Sequence, residues 1–204
     1  MTLISEPVRA ELVSAYTAPE RHYHDLRHIE AMLRLADDCG SAIMDRDALE
    51  AAIWFHDAIY DTRRNNNEER SAALAVARLA GTAGEDRIGC IAAMIRATAG
   101  HAMPDLADAA ARRDCALFLD LDLAILGSPA ADFDAYEAAV RREYDCVTEF
   151  QWTLGRRAVL AGFQARPAIY VTDRFQASHE AAARGNIARA IARLDRAGSK
   201  RRSR

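Results

Sequence analysis

The sequence predicts an all-α fold, and three observations lead to that prediction. Apolar residues recur at spacings of three and four along most of the chain, no stretch alternates with period two for long enough to form a strand, and glycine or proline interrupts the pattern at intervals. Half of the 204 residues are apolar, which is enough to bury one substantial core. We therefore expect a single domain over residues 1–197, built as a bundle of about eight to nine helices.

Breaks in the pattern divide this bundle into its elements. Ser5 and Pro7 suit the first turn of a helix, Gly40 suits a left-handed turn after a helix end, and Gly127 closes the sixth predicted helix. The first predicted helix is a short one that opens at Ser5, and the others cover about 25–39, 45–60, 68–80, 85–98, 108–126, 128–147, 153–165 and 178–196. Segment 198–204 is basic and rich in small residues, which predicts a disordered tail.

Composition excludes several classes of function. A formal net charge of −3 lacks the field that a nucleic-acid-binding protein normally carries, so we expect no extended nucleic acid as a partner. The N-terminus has no secretion-signal pattern and no apolar run is long enough for a membrane span, which predicts no membrane association. The four cysteines include no C-x-x-C pair and fall within helical patterns. They are typical of buried, reduced thiols in a cytoplasmic protein.

Histidines and aspartates in apolar surroundings indicate a metal site. The adjacent pair His56 and Asp57 lies between Ile-Trp-Phe and Ala-Ile-Tyr, and Asp120 and Asp122 are set among leucines. A buried charge requires a partner or a metal, and neutral imidazoles together with carboxylates form the mixed N/O ligand set of a divalent cation.

Spacing gives this hypothesis partial support. His24 and His28 are four positions apart and would share one face of a helix. Successive residues such as His56 and Asp57 diverge by about 100° on a helix, so they converge on one ion only if it lies beside the groove between them.

The order of these elements resembles the HD superfamily of metal-dependent phosphohydrolases. The resemblance covers about residues 20–195 and is closest to a bacterial subgroup called predicted HD-superfamily phosphohydrolases. The strings that carry it are Tyr23-His24 through His28-Ile29, Trp54-Phe55-His56-Asp57, Asn67-Glu68 with Ser71-Ala72, Asp120-Leu121-Asp122 and Arg184-Gly185-Asn186. It implies an all-α, HD-domain-like bundle with His28, His56, Asp57 and Asp122 as metal ligands.

The same resemblance implies an enzyme that hydrolyses a phosphomonoester or phosphodiester of a small substrate, with nucleotide-like molecules among the candidates. The cofactor would be a divalent cation, with Mn, Fe, Co, Ni, Zn and Mg all open. The cation would activate a water for attack on phosphorus. Asp57 and Glu68 are then the candidate catalytic residues.

Other residues are candidates for binding the substrate, each with an alternative. Glu68 also fits a capping box with Asn65, and Asp61 also fits a turn. His24 is either an additional ligand or a residue that orients one, and His101 is a contact to a second ion or to a phosphate. Arg142 is a candidate phosphate clamp or an exposed arginine on a charged helix.

Two other functions remain open at this stage. The same scaffold includes di-iron oxygenases, and a metal-stabilised regulatory domain without turnover would also explain the motifs. Substrate identity, the number of ions and homo-oligomerisation are likewise open.

Overall fold

The protein is an all-α molecule, as the sequence predicts. The computed structural model describes residues 2–202, with side chains through Gly198. Within these residues there is no strand, apart from an isolated bridge between Ala80 and Ala83. The α-helices of this part of the chain are α1 Glu6–Tyr16, α2 Leu26–Cys39, α3 Arg46–Phe55, α4 Asn67–Leu79, α5 Glu85–Ala97, α6 Ala109–Leu123, α7 Ala130–Glu143, α8 Glu149–Gln164 and α9 Asp173–Arg202.

The chain divides into two compact units, and the boundary lies between Asp122 and Leu123. In the first unit α3 packs on α2, α4 and α5. The core of this unit is formed by fully buried side chains that include Tyr16, Ile29, Met32, Leu49, Ile53, Phe55, Leu79, Ile91 and Phe118. Every candidate site residue except Arg142 belongs to this unit.

The start of α3 is held in place by several charged side chains of the first unit. Asp45 caps the helix by accepting the backbone N–H of Ala48, and its carboxylate also receives Arg87 from α5. The buried Asp114 of α6 accepts the backbone N–H groups of Met44 and Asp45 at 2.8 and 2.7 Å. These bonds link three helices at the end of α3 that is opposite the His-Asp pair.

The other end of α3 corrects a prediction. The sequence pattern continued the helix to residue 60, but α3 ends at Phe55, His56 is its C-cap and Asp57 lies in the turn that follows. The apolar residues Ala58 and Ile59 continue the helical pattern of the sequence. Their backbone groups are nevertheless bonded to the side chains of Arg21 and Ser71. His56 and Asp57 are therefore not successive residues of one helix.

The second unit contains α7, α8, α9 and a short 3₁₀ turn, Ala124–Gly127, against which α7 and α9 pack. Asn186 donates to the carbonyl oxygens of Leu126 and Ser128 at 2.9 Å. Gly127, the last residue of this turn, has no positive φ. Gly127 instead allows a close approach, because a Cβ there would lie 2.6 Å from the Cβ of His179.

Helix boundaries in the second unit also differ from prediction. Helix α8 begins at Glu149, four residues early, because Thr148 and Gln151 form a capping box. Helix α9 begins at Asp173 and continues to Arg202, through most of the segment for which a disordered tail was predicted. The last two residues of that segment, 203 and 204, lie outside the described residues.

Two further features bear on the expectations from composition. No helix among the described residues is both long enough and apolar enough to cross a bilayer. None of the four cysteines, all of which lie among the described residues, is in a disulfide, and Cys39 and Cys115 are buried as predicted. Cys146 is exposed, because α7 ends at Glu143 and leaves this residue in a turn.

Candidate metal centre

Three of the four predicted ligands meet at one point. His28 from α2, His56 at the end of α3 and Asp122 from α6 each direct one donor atom to a common centre, and these atoms all lie within 4.8 Å of one another. Both histidines are buried, with 4% and 1% of their side chains exposed, and the Asp122 side chain is 13% exposed. The resulting cluster, His28–His56–Asp122, is called the triad below.

The spacing of the triad fits a single cation. The Nε2 atoms of His28 and His56 are 3.2 Å apart, and Asp122 Oδ1 lies 3.1 Å from the first and 3.6 Å from the second. Donor atoms that bind one cation at about 2.1 Å, at angles of about 90–110°, are themselves about 3.0–3.4 Å apart. The chemistry of the donors and their separations therefore both suit a divalent ion.

The orientation of His56 is set by the backbone of α3. Its Nδ1–H donates to the carbonyl oxygen of Ile53 at 2.8 Å, a group that can only accept. This hydrogen bond leaves the lone pair of the neutral imidazole on Nε2, the atom that faces the other members of the triad.

Asp57, the fourth predicted ligand, lies beside the triad but is not one of its three members. Its Oδ2 is 3.1 Å from Nε2 of His56, and its side chain is 16% exposed. Because Asp57 follows the end of α3, its carboxylate approaches His56 from the turn and avoids the divergence expected on a helix.

The carboxylates strongly polarise this cluster. Burial by itself disfavours an imidazolium, but Asp57 and Asp122 outweigh it and raise the pKa of His56 well above its ordinary value. Burial likewise opposes the charge of Asp57, but His56 and His24 hold the pKa of Asp57 below its usual range. Both carboxylates are therefore ionised at neutral pH and attract either a proton or a metal cation to the centre.

Three polar side chains that carried no predicted role fix the turn after His56. Arg21 is buried, and its guanidinium donates to the carbonyl oxygens of Asp57 and Ala58 at 2.8 and 3.0 Å. Ser71 bonds both the N–H and the carbonyl of Ile59, and Asn67 does the same for residue 61. These bonds satisfy backbone groups that a continued helix would have paired internally.

Arg21 is itself held by aromatic rings. Its guanidinium carbon is 4.9 Å from the ring centroid of Tyr16 and 5.5 Å from that of Tyr60. Tyr16 is fully buried and donates its hydroxyl to the carbonyl of Trp54 at 3.0 Å. Ser71 and Asn67 occur in the strings that resemble the HD superfamily, whereas Arg21 and Tyr16 gave no local signal in the sequence.

The position of His24 corrects another prediction. Helix α2 begins at Leu26 with Asp25 as its N-cap, so His24 precedes the helix and does not share a helical face with His28. The His24 ring instead stacks 4.4 Å from the ring of Tyr60, and its carbonyl accepts a hydrogen bond from Arg21 at 2.8 Å. His24 is close enough to Asp57 to lower its pKa.

His101 also reaches the cluster. Its Nε2 lies 2.9 Å from Oδ2 of Asp122, the carboxylate oxygen that is not part of the triad. Burial opposes the ionisation of Asp122, but His56, His101 and His28 together hold its pKa well below the usual value. An ionised carboxylate can only accept, so the hydrogen of this bond is on His101.

The remaining candidates lie in different settings. Glu68 is half-buried in the first turn of α4, and the capping box with Asn65 does not form, because the N-cap is Asn66 and its side chain makes no capping bond. Asp61 accepts the backbone N–H of Arg63 at 3.0 Å, which matches the turn alternative. Arg142 is an exposed residue of α7 in the second unit.

No protein family, curated protein or solved structure gives a match to this chain. The fold and the site therefore define it as an all-α protein with a candidate His-His-Asp metal centre.

Proposed function

We propose that this chain is a metal-dependent phosphohydrolase, acting on a phosphomonoester or phosphodiester of a small substrate. The observation that supports the proposal best is the triad, in which two imidazole nitrogens and one carboxylate oxygen lie at the separations of donors around one ion. The sequence resemblance to HD-superfamily phosphohydrolases adds the reaction class.

His28 Nε2, His56 Nε2 and Asp122 Oδ1 are the atoms that would hold the cation. A divalent ion bound there would lower the pKa of a coordinated water and polarise a phosphoryl oxygen. Two imidazoles favour Mn, Fe, Co, Ni or Zn over Mg, because Mg prefers oxygen ligands almost exclusively.

Asp57 is the candidate proton acceptor. Its carboxylate is ionised at neutral pH, lies 3.1 Å from His56 Nε2 and keeps 16% of its side chain exposed. A general base must combine the deprotonated form with access to the substrate, and Asp57 has both. Glu68 is the second acid or base candidate, and it lies in the first turn of α4, the helix that follows the turn after His56.

The histidine side of the centre is closed to solvent and the carboxylate side is partly open. Asp57 and Asp122 keep 16% and 13% of their side chains exposed, against 1% and 4% for His56 and His28, so a small phosphate would approach the centre from the side of the carboxylates. His24, Asp61 and His101 are the residues of the first unit that we propose for contacts to the substrate or its phosphate. Whether the chain acts as a homo-oligomer is a separate question that sizing in solution would answer.

The first experiment combines elemental analysis of the purified protein with a phosphate-release screen. The panel should contain p-nitrophenyl phosphate, bis(p-nitrophenyl) phosphate and nucleoside monophosphates, each with Mn²⁺, Co²⁺, Ni²⁺, Zn²⁺ or Mg²⁺. We expect bound transition metal and phosphate or phenolate release that Asp122→Asn abolishes. The matched control is Asp86→Asn, which removes an exposed carboxylate of α5.

Other outcomes would replace the proposal. Two irons per chain with oxygen consumption would support the oxygenase, and metal binding without turnover on any substrate would support a regulatory domain. Activity that survives Asp122→Asn at the level of Asp86→Asn would contradict the proposed site.

A further inference from the structure

His101 combines a positive φ with a side chain that is directed at a member of the triad. It has a positive φ of 45°, which no other non-glycine residue shares among those the structure describes. Its side chain is 17% exposed and directs Nε2 to Asp122. A positive φ is uncommon for a residue other than glycine, although histidine adopts it more often than most, and such conformations collect at functional sites where the surrounding structure holds them in place.

The two oxygens of Asp122 have different partners. Oδ1 faces His28 Nε2 at 3.1 Å and belongs to the triad, whereas Oδ2 accepts from His101 Nε2 at 2.9 Å. A carboxylate held at one oxygen has less freedom to rotate, so its other oxygen keeps a fixed direction.

A residue that tolerates a positive φ better than histidine lies directly beside His101. Gly100 immediately precedes it, and glycine adopts a positive φ without steric cost, yet the positive φ falls on the histidine. This placement brings the imidazole to Asp122 from a loop that follows α5.

We propose that His101 is a positioning residue, which fixes the Asp122 carboxylate through Oδ2 so that Oδ1 is directed at the metal, and that its strained backbone is retained for this contact. The inference rests on the proposed metal centre. It differs from direct ligation of an ion by His101, because the imidazole acts on the metal only through Asp122.

The test separates metal affinity from folding stability. His101→Gly relieves the left-handed backbone and removes one hydrogen bond of Asp122, two effects of opposite sign and similar size, so the metal-free variant should unfold at about the same urea concentration as the natural protein. Its affinity for Mn²⁺ or Zn²⁺, measured by titration calorimetry, should fall about 10–100-fold, as is usual when the partner of a metal ligand is removed. A merely structural residue would lose stability as well.

His101→Gln keeps an amide donor near the position of Nε2 and should restore most of the affinity. Met103→Ala, an exposed change in the same loop, is the control and should leave affinity unchanged. One ion per chain is expected in the natural protein and in both His101 variants.

Three results would overturn the inference. Affinity in His101→Gly within threefold of the natural protein would show that Asp122 needs no support. Loss of urea stability in His101→Gly would indicate a structural role, and a fall from two ions per chain to one would make His101 a ligand. If the natural protein binds no metal at all, the proposed function fails first, which distinguishes the two cases.

Discussion

The Nε2 atoms of His28 and His56 lie 3.2 Å apart, although the two residues are separated by 28 positions in the sequence. Two nitrogen lone pairs at this distance repel each other unless a proton or a cation lies between them. The ionised carboxylates of Asp57 and Asp122 favour either one. Protons and metal should therefore compete for the same centre, and this competition leads to the first prediction.

Metal affinity should increase with pH, because binding displaces the proton that the raised pKa of His56 retains. Calorimetric titrations with Mn²⁺ or Zn²⁺ in buffers of different ionisation enthalpy should show proton release on binding. Release should diminish above the raised pKa of His56, where the imidazole is already neutral. Affinity that is constant from pH 6 to pH 9 would contradict the shared centre.

The same pKa shift gives the metal-free protein the opposite dependence on pH. A raised pKa in the folded state means that folding binds a proton, so the stabilisation is complete below the unfolded-state pKa of about 6.5. It is then lost as the pH rises through the raised value. Urea unfolding with a chelator present should show stability falling above about pH 6.5, and His56→Gln should flatten the curve.

Asp122 and Asp114 make a matched pair for the next prediction, because both are carboxylates of α6 but only Asp122 belongs to the triad. Asp122→Asn should abolish the rise in melting temperature that added metal causes in the natural protein. Asp114→Asn weakens two hydrogen bonds to the start of α3 and should lower the free energy of unfolding by about 1–3 kcal/mol.

The metal-induced rise in melting temperature should survive in Asp114→Asn. The corresponding increase in the free energy of unfolding is about 2.7 kcal/mol when free metal is 100 times the dissociation constant. Thermal unfolding with and without Mn²⁺ measures both effects. Equal metal-induced shifts in the two variants would place the ion elsewhere.

Arg21 should stabilise the turn after His56. Arg21→Met removes the donors to the carbonyls of Asp57 and Ala58, and should cost about 1–3 kcal/mol of unfolding free energy for the backbone groups left unpaired. Arg21→Lys should recover only part of this loss, since an ammonium lacks the planar fork that reaches both carbonyls. Urea unfolding measures the series, and full recovery by lysine would show that charge alone suffices.

The cysteines should differ in reactivity with a thiol reagent at pH 8. Burial, with a smaller effect of Cys90, raises the pKa of Cys115 to about 12, so this thiol should react only when the protein unfolds. Cys146 is exposed and should react at once. Cys90 is partly exposed, but burial raises its pKa, so it should react more slowly than Cys146. Cys146→Ser should remove the fast phase, and a phase of unchanged rate in this variant would contradict the assignment to Cys146.

Local sequence signals predicted most of the helices correctly. Caps at Asp25 and Asp45 and the left-handed Gly40 depend on residues within one turn of a helix end. The capping box of Thr148 and Gln151 is a local signal of the same kind. Such signals are local because a cap satisfies N–H groups two or three residues away.

The turn after α3 could not be read in this way. Its partners Arg21, Ser71 and Asn67 are 36, 12 and 6 residues from the backbone groups that they bind. Only when α2, α3 and α4 are in place do these contacts exist, and they end the helix at Phe55 against the local apolar pattern.

The sequence by itself therefore determined an all-α chain, because helical periodicity is a property of short segments, and the resemblance of its motifs to the HD superfamily implied the residues that form the triad. The tertiary structure decided which atoms face one another, including the division of the Asp122 oxygens between His28 and His101. Those directions depend on how separate helices pack, since each donor comes from a different element and no local pattern fixes its distance from the others.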